Sequence, residues 1–172
     1  MRALAKQIIT TAALQVGIPE ASILDEPKKQ SILLPVPRCE LFYLPEELTR
    51  SYKKIAKFPS AVNPDQYRTV RSMLYERKLT VRVTVRSDDE ESLAALTNGI
   101  IAAIPAKTAD ADNNLVVVTA SKAVRGGFGY RLAEPMIKRS SALYFIFTGM
   151  ITKDEDIPLI LDVNIKDNTS YR

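Results

Sequence analysis

An alternating segment from Met73 to Arg86 places the strongest constraint on the fold of this chain. Successive side chains of a β-strand point to opposite faces, so alternation of branched apolar residues with polar ones predicts a half-buried strand. One predicted face carries Leu79, Val81, Val83 and Val85, and the other carries Lys78, Thr80, Arg82, Thr84 and Arg86. We therefore expect a sheet with one face in the core and a basic face turned outward.

Helices are predicted before and after this strand. Residues 3–16 have the spacing of an amphipathic helix, with apolar residues on one stripe. Ser87 and Glu90 have the spacing of a capping box, in which each side chain bonds the backbone N–H of the other residue. They predict a helix over residues 88–103 that ends before Pro105. This is the long helix that we expect on one face of the sheet.

The C-terminal half contains three further predicted strands, at residues 115–121, 142–148 and 159–165. Gly149 is interpreted as a bulge or bend, and residues 154–156 as an acidic turn. Short connections between neighbouring strands favour antiparallel pairing. The predicted fold is α+β, with an antiparallel or mixed sheet, the long helix packed on one face and an N-terminal helix that could act as an arm.

Two segments before the alternating strand have weaker patterns. Residues 38–44 alternate as a strand in which Cys39 is a small apolar residue. Residues 45–58 begin with Pro and two acids, as helices often do, and they contain one apolar helical stripe. The same residues also fit the second strand of a hairpin, and we favour the helix.

These elements divide the chain into three predicted parts. Residues 1–30 hold the first helix and a polar connector, which together could form an arm reaching a neighbouring subunit. Residues 31–166 form a single α+β domain, and residues 167–172 form a polar tail. A total length of 172 residues suits one such domain.

The amino-acid composition excludes several kinds of catalytic site. The chain contains no His and a single Cys, so Ser-His-Asp and Cys-His arrangements and His-ligated metals are ruled out. A carboxylate-dependent hydrolase stays open as a rival. We expect no enzyme activity, catalytic residue, metal or cofactor, because helix capping and a turn explain the acidic clusters. No apolar run approaches the ~20 residues of a membrane span, and no membrane is expected as a partner.

Positive charge is concentrated in one part of the chain. Residues 1–86 carry 15 Lys/Arg and 8 Asp/Glu, a net charge of +7, whereas residues 87–172 carry 9 and 12, a net charge of −3. Between residues 50 and 86 the net charge is +8. The candidate basic residues are Arg50, Lys53, Lys54, Lys57, Arg68, Arg71, Arg77, Lys78, Arg82 and Arg86. Three interpretations are open: a solvated face, a contact between the basic and acidic regions of two copies, or a nucleic-acid interface.

A glycine-rich segment follows the predicted strand at residues 115–121. Its residues are Arg125, Gly126, Gly127, Phe128, Gly129, Tyr130 and Arg131. No Gly-Lys-Ser/Thr follows, so the segment does not match a phosphate-binding P-loop. A hairpin loop is favoured over an anion cradle, since glycine clusters mostly mark turns. Arg125, Gly126, Gly127, Phe128, Gly129 and Arg131 are the candidate interface loop, which we expect to order on contact with a neighbour.

The order of elements from Tyr75 to Ile165 carries a family resemblance. Residues 75–77, which end in a basic residue, precede the alternating strand. The capped helix, a strand that begins next to Asn114 and the glycine-rich loop follow in that order. A strand at residues 143–149 then leads through acidic residues to residues 160–163. Two short segments that begin with Pro, at residues 37–40 and 45–48, belong to the same pattern. This arrangement resembles the neck and tail-terminator proteins of contractile-tailed bacteriophages.

The resemblance implies a structural virion protein rather than an enzyme. Such proteins form rings, commonly hexameric, that cap the tail tube and sheath and join the tail to the head connector. The implied partners are further copies of the chain, tail tube and sheath proteins and connector proteins, with DNA in the channel as a further candidate. The implied location is the virion neck, after assembly in the host cytoplasm. Two alternatives stay open: a head-completion or connector protein of the same neck, and a nucleic-acid-binding module.

Overall fold

A computed structural model describes residues 1–27, 35–126 and 139–159 of the protein. Most of the predicted last strand lies outside these described residues. The same is true of four predicted loop residues, Gly127, Phe128, Gly129 and Arg131.

The described residues form two α-helices, one short 3₁₀ helix and seven strands. The helices are α1 (Arg2–Gln15), the 3₁₀ helix (Glu20–Ser22) and α2 (Glu90–Ala103). The strands are β1 (Ile23–Asp25), β2 (Arg38–Tyr43), β3 (Glu47–Pro59), β4 (Tyr67–Ser87), β5 (Lys107–Ala109), β6 (Leu115–Gly126) and β7 (Arg139–Pro158).

The seven strands belong to one mixed sheet. Its order is β1-β2-β4-β7-β6-β5, and β3 also pairs with β4. β1 runs parallel to β2, whereas the pairs β2–β4, β5–β6 and β6–β7 are antiparallel. The predicted α+β class with a mixed sheet is confirmed. The single long helix on the sheet is not shown, because α1 and α2 have 14 residues each.

The alternation that predicted β4 is confirmed by burial. Val81, Val83 and Val85 are completely buried, and the residues between them are only partly buried. They share one core cluster with alternate residues of β2, β6 and β7 and with the apolar faces of both helices. This burial is the main source of stability in such a fold, at roughly 25 cal/mol per Å² of apolar surface removed from water.

The chain divides into two compact units. Unit 1 consists of Met1–Thr49 and Glu76–Met150, and unit 2 consists of Arg50–Tyr75 and Ile151–Arg172. Every residue of the core cluster belongs to unit 1. Ile9 of α1 is completely buried in that cluster. The helix for which the sequence left an arm role open therefore contributes to the core of unit 1.

The two helices of unit 1 approach each other closely. Gly99 of α2 lies against Val16, which caps the C-terminus of α1. A Cβ atom added at Gly99 would lie 2.6 Å from Cγ1 of Val16, which is closer than side chains normally pack. The contact therefore requires a residue without a side chain at position 99.

The helix favoured for residues 45–58 is wrong, because Glu47–Pro59 form strand β3. The apolar stripe at Leu48, Tyr52 and Ile55 is exposed, so no core covers it as a helix would require. Strand β4 begins at Tyr67, earlier than predicted, and offers β3 a pairing partner. Backbone hydrogen bonding to β4 thus decides the conformation of this segment.

Three further local predictions are corrected. Ser87 ends β4, and the cap of α2 is Asp89, whose Oδ1 accepts a hydrogen bond from the Ser92 N–H at 2.7 Å. β7 continues through Gly149, where a bend was expected. The predicted acidic turn at residues 154–156 also lies within β7. Acidic residues disfavour strands in general, and two of these carboxylates have partners on β4.

Candidate interaction surface

The basic residues that the sequence groups together have different surroundings in the structure. In unit 1, Arg86 binds Glu40, which also binds Arg38. Oε1 of Glu40 lies 2.8 Å from Nε of Arg38 and 3.1 Å from Nε of Arg86. Arg38 and Glu40 are each only 1% exposed. Arg86 is therefore part of a buried ionic network rather than a free surface charge.

The register of the sheet builds this network. β2 pairs antiparallel with β4, and Arg38 lies opposite Arg86. One carboxylate then serves two guanidinium groups that are far apart in sequence. Buried charges need such partners, since removing a charge from water costs several kcal/mol. Arg38 and Glu40 were not among the candidate residues predicted from the sequence, because nothing in the local pattern indicates their pairing.

Other basic residues of unit 1 also have partners within the chain. Arg77 donates to both carboxylate oxygens of Glu46 at 2.8 and 3.1 Å, which raises the pKa of Arg77. Lys78 lies 3.8 Å from the carboxylate of Glu47. The guanidinium carbon of Arg82 lies 4.3 Å from the centre of the Phe42 ring, a cation–π contact. Arg77 and Lys78 thus have acidic partners within unit 1, whereas Nε of Arg82 is buried without a hydrogen-bond partner among the described residues.

Unit 2 contains the other six predicted basic residues. Arg71 forms a bidentate ion pair with Asp154, and its guanidinium carbon lies 5.6 Å from the centre of the Phe58 ring. Arg50 contacts the Tyr52 ring at 4.7 Å. The remaining four are exposed and form no ion pair within the described part of the chain; they are Lys53, Lys54, Lys57 and Arg68.

Exposed apolar side chains accompany these four cations. Tyr52 is 67% exposed, and Ile55 and Phe58 are more than one-third exposed. Because strand side chains alternate, Ile55 lies on one face with Lys53 and Lys57, and Tyr52 and Phe58 lie on the other with Lys54. We call Tyr52, Lys53, Lys54, Ile55, Lys57, Phe58 and Arg68 the β3 surface. Exposed apolar side chains therefore occur on both faces of β3, and exposed apolar area is a feature of interaction sites.

The backbone of β3 also has an open edge. Within the described residues, β3 pairs with β4 alone, so the backbone groups on its other side have no strand partner. Edge strands of this length can pair with other chains, and lysines commonly limit uncontrolled pairing. The lysines therefore fit two roles, protection of an edge and recognition of an acidic partner.

A hydrogen-bond network fixes the connection between β3 and β4. Asp156 accepts hydrogen bonds from the hydroxyls of Ser60, at 2.9 Å, and Thr69. Oγ of Ser60 in turn accepts from the backbone N–H groups of Val62 and Asn63. Ser60 is 3% exposed. The turn is thus held to β7, and this network was not predicted because its members are distant in sequence.

A shallow groove of about 360 Å³ lies in unit 1. Its lining consists of Pro37, Ser87, Asp88, Asp89, Ser92, Ala95 and Leu96. Asp89 is engaged as the cap of α2, whereas Asp88 and Glu91 are exposed at the start of that helix. The lining of the groove therefore combines apolar side chains with acidic ones.

The other described residues offer few groups suited to catalysis or metal binding. Burial raises the pKa of Cys39 to about 12, so the thiol stays protonated at neutral pH and is a poor nucleophile. The described residues contain no group of three or more Cys, Asp or Glu side chains arranged to hold a metal ion. In the described part of the chain, neither helix has the length and apolar character needed to cross a membrane.

The glycine-rich segment is described only at its start. Arg125 and Gly126 end β6 and pair with Ser141 and Ser140 of β7. The proposed interface role of this segment stays a prediction, since its other residues lie outside the described ranges.

Comparisons with known proteins leave the family open. No protein-family model matches this sequence, and no curated protein matches it. The resemblance to phage neck proteins therefore depends on the order of elements alone and continues as a proposal.

Proposed function

We propose that this protein is a structural subunit of a phage neck, and most specifically a tail terminator. In this role it forms a ring, commonly of six copies, that caps the tail tube and sheath and joins them to the head connector. The observation that supports an assembly role is the β3 surface, where four exposed cations that form no ion pair among the described residues accompany exposed aromatic and aliphatic side chains.

An assembly role explains features that are costly in an isolated chain. Exposed Tyr52 and Ile55 leave apolar area in water, and burial against a partner would recover roughly 25 cal/mol per Å². The Ser60–Asp156 network holds the end of β3 in one conformation, which lowers the entropy lost when a partner binds. The exposed apolar surface and the fixed end of β3 would therefore both favour the binding of a partner.

Two measurements test the role. Native mass spectrometry of the purified chain should show a closed oligomer of defined size. Electron microscopy should then show that oligomer at one end of isolated contractile tails. A chain that stays monomeric and leaves tails uncapped would contradict the proposal. An oligomer that binds purified connector and ignores tails would instead indicate the head-completion alternative.

A nucleic-acid interface is the second candidate function, favoured by the exposure of Lys53, Lys54, Lys57 and Arg68. If all four contact phosphates of duplex DNA, the logarithm of affinity should fall with the logarithm of salt concentration with a slope of about −3.6. Substitution of Lys54 by Ala should reduce that slope by about 0.9. Binding that is absent, or insensitive to salt, would exclude this candidate.

A further inference from the structure

The β3 surface and the acidic groove beside α2 have complementary chemistry. We infer that the face of β3 that carries Lys53, Ile55 and Lys57 in one copy docks into the acidic groove of a second copy of this chain. This inference rests on the proposed ring-forming function and names the two surfaces that would join neighbouring subunits.

The docking surface offers both charge and apolar area. Lys53, Ile55 and Lys57 share one face of β3 and are exposed. Within the described residues, neither lysine forms an ion pair. Long lysine stems can cover apolar surface while their ammonium groups reach carboxylates at its border.

The receiving surface supplies the matching groups. Pro37, Ala95 and Leu96 contribute apolar lining to the groove, and Asp88 also belongs to its lining. Glu91 is exposed in the first turn of α2. Among the described residues, Asp88 and Glu91 form no ion pair, so both are available to cations from another molecule.

The occupant is a second copy because each copy carries both complementary surfaces. Contact between two identical β3 surfaces would bring lysines against lysines, and like charges placed together oppose association. The basic and acidic surfaces consist of different residues, so their contact is head-to-tail. Head-to-tail contacts form a closed ring when the rotation between neighbours closes.

Charge reversal on each side tests the contact. Lys53→Glu with Lys57→Glu makes the docking face of β3 acidic, and Asp88→Lys with Glu91→Lys replaces by cations the acid in the groove and the acid beside it that form no ion pair among the described residues. We expect each double variant alone to require about a hundredfold higher concentration to form rings, because like charges then meet across every contact. Analytical ultracentrifugation measures this shift, and Lys107→Glu, an exposed reversal on β5, is the control that should leave assembly unchanged.

Mixing the two double variants in equal amounts provides the decisive measurement. Acidic β3 surfaces would then meet basic grooves, and basic β3 surfaces would meet acidic grooves. We expect rings of alternating composition, identified by native mass spectrometry. Their formation also shows that both variants are folded. Circular dichroism of each variant alone provides the same check independently.

The outcomes separate this inference from the proposed function. If wild-type rings form and either double variant still assembles like wild type, the docking inference fails and the ring role stands. If both variants lose assembly but their mixture does not recover it, the two surfaces do not bind each other and the inference is again overturned. A wild-type chain that remains monomeric and leaves tails uncapped would overturn both.

Discussion

Arg71 of β4 and Asp154 of β7 form a two-point ion pair within unit 2, with Nε–Oδ1 and Nη2–Oδ2 distances of 2.7 Å. The pair joins two strands in the unit that lies outside the main hydrophobic cluster. It also places a carboxylate inside β7, where the sequence alone indicated a turn.

Removal of the Arg71–Asp154 pair should weaken unit 2 modestly. Both side chains are partly exposed, so a double-mutant cycle of Arg71→Ala and Asp154→Ala should give a coupling energy of about 0.5–1 kcal/mol in urea unfolding. The cycle is needed because Arg71 has further interactions. Arg68→Ala is the control, with no expected coupling to Asp154.

The same pair should respond to acid. Arg71 lowers the pKa of Asp154 below its ordinary value of 3.8. Its contribution to stability is therefore complete above about pH 4 and is lost as pH falls through the lowered pKa. Stability that decreases equally in wild type and Asp154→Asn across this range would contradict the assignment.

Glu40 should be far more important to stability than exposed acids. Glu40→Ala removes the carboxylate shared by Arg38 and Arg86 and leaves buried positive charge, at an expected cost of about 3–5 kcal/mol in the free energy of unfolding. Glu47→Ala, at a side chain that is 70% exposed, should change stability by less than about 0.5 kcal/mol. Similar effects of the two substitutions in chemical denaturation would show that the network is not stabilising.

Gly99→Ala should destabilise the protein although alanine favours helices. The new Cβ would lie 2.6 Å from Cγ1 of Val16, and a β-branched side chain adjusts poorly. We expect a steric cost of about 2–3 kcal/mol, which exceeds the gain of about 1 kcal/mol in helix propensity, so that the net loss in thermal or urea unfolding is about 1–2 kcal/mol. Val16→Ala combined with Gly99→Ala should recover part of the loss. A more stable Gly99→Ala variant would show that α1 and α2 separate easily.

Asp156→Ala should loosen the turn between β3 and β4. The hydroxyls of Ser60 and Thr69 would lose their acceptor, and Ser60 holds the N–H groups of Val62 and Asn63. We expect faster hydrogen exchange across residues 60–69, with exchange in α2 unchanged. Glu155→Ala, an exposed neighbour on β7, should leave the turn as in wild type. Unaltered exchange in Asp156→Ala would mean that the backbone alone maintains the turn.

Local patterns in the sequence were sufficient to predict several helices and strands. The alternation within β4 predicted which valines are buried, and apolar spacing predicted α1 and α2 close to their observed bounds. Residues 45–58 were ambiguous, because their apolar spacing suits a helix as well as a strand. The observed strand depends on β4, which lies beyond the loop that follows.

The charged residues of the candidate interaction surface also combine features that the sequence specifies with features that depend on the fold. The amino-acid sequence alone specifies the excess of positive charge between residues 50 and 86, the lack of histidine chemistry and the periods of α1, α2 and β4. The fold specifies which charges have partners among the described residues. Glu40 binds Arg86, which is 46 residues away in the sequence, and Asp154 binds Arg71, which is 83 residues away. Periodicity depends on nearest neighbours along the chain, whereas charge pairing depends on strand register, which brings distant residues within hydrogen-bonding distance.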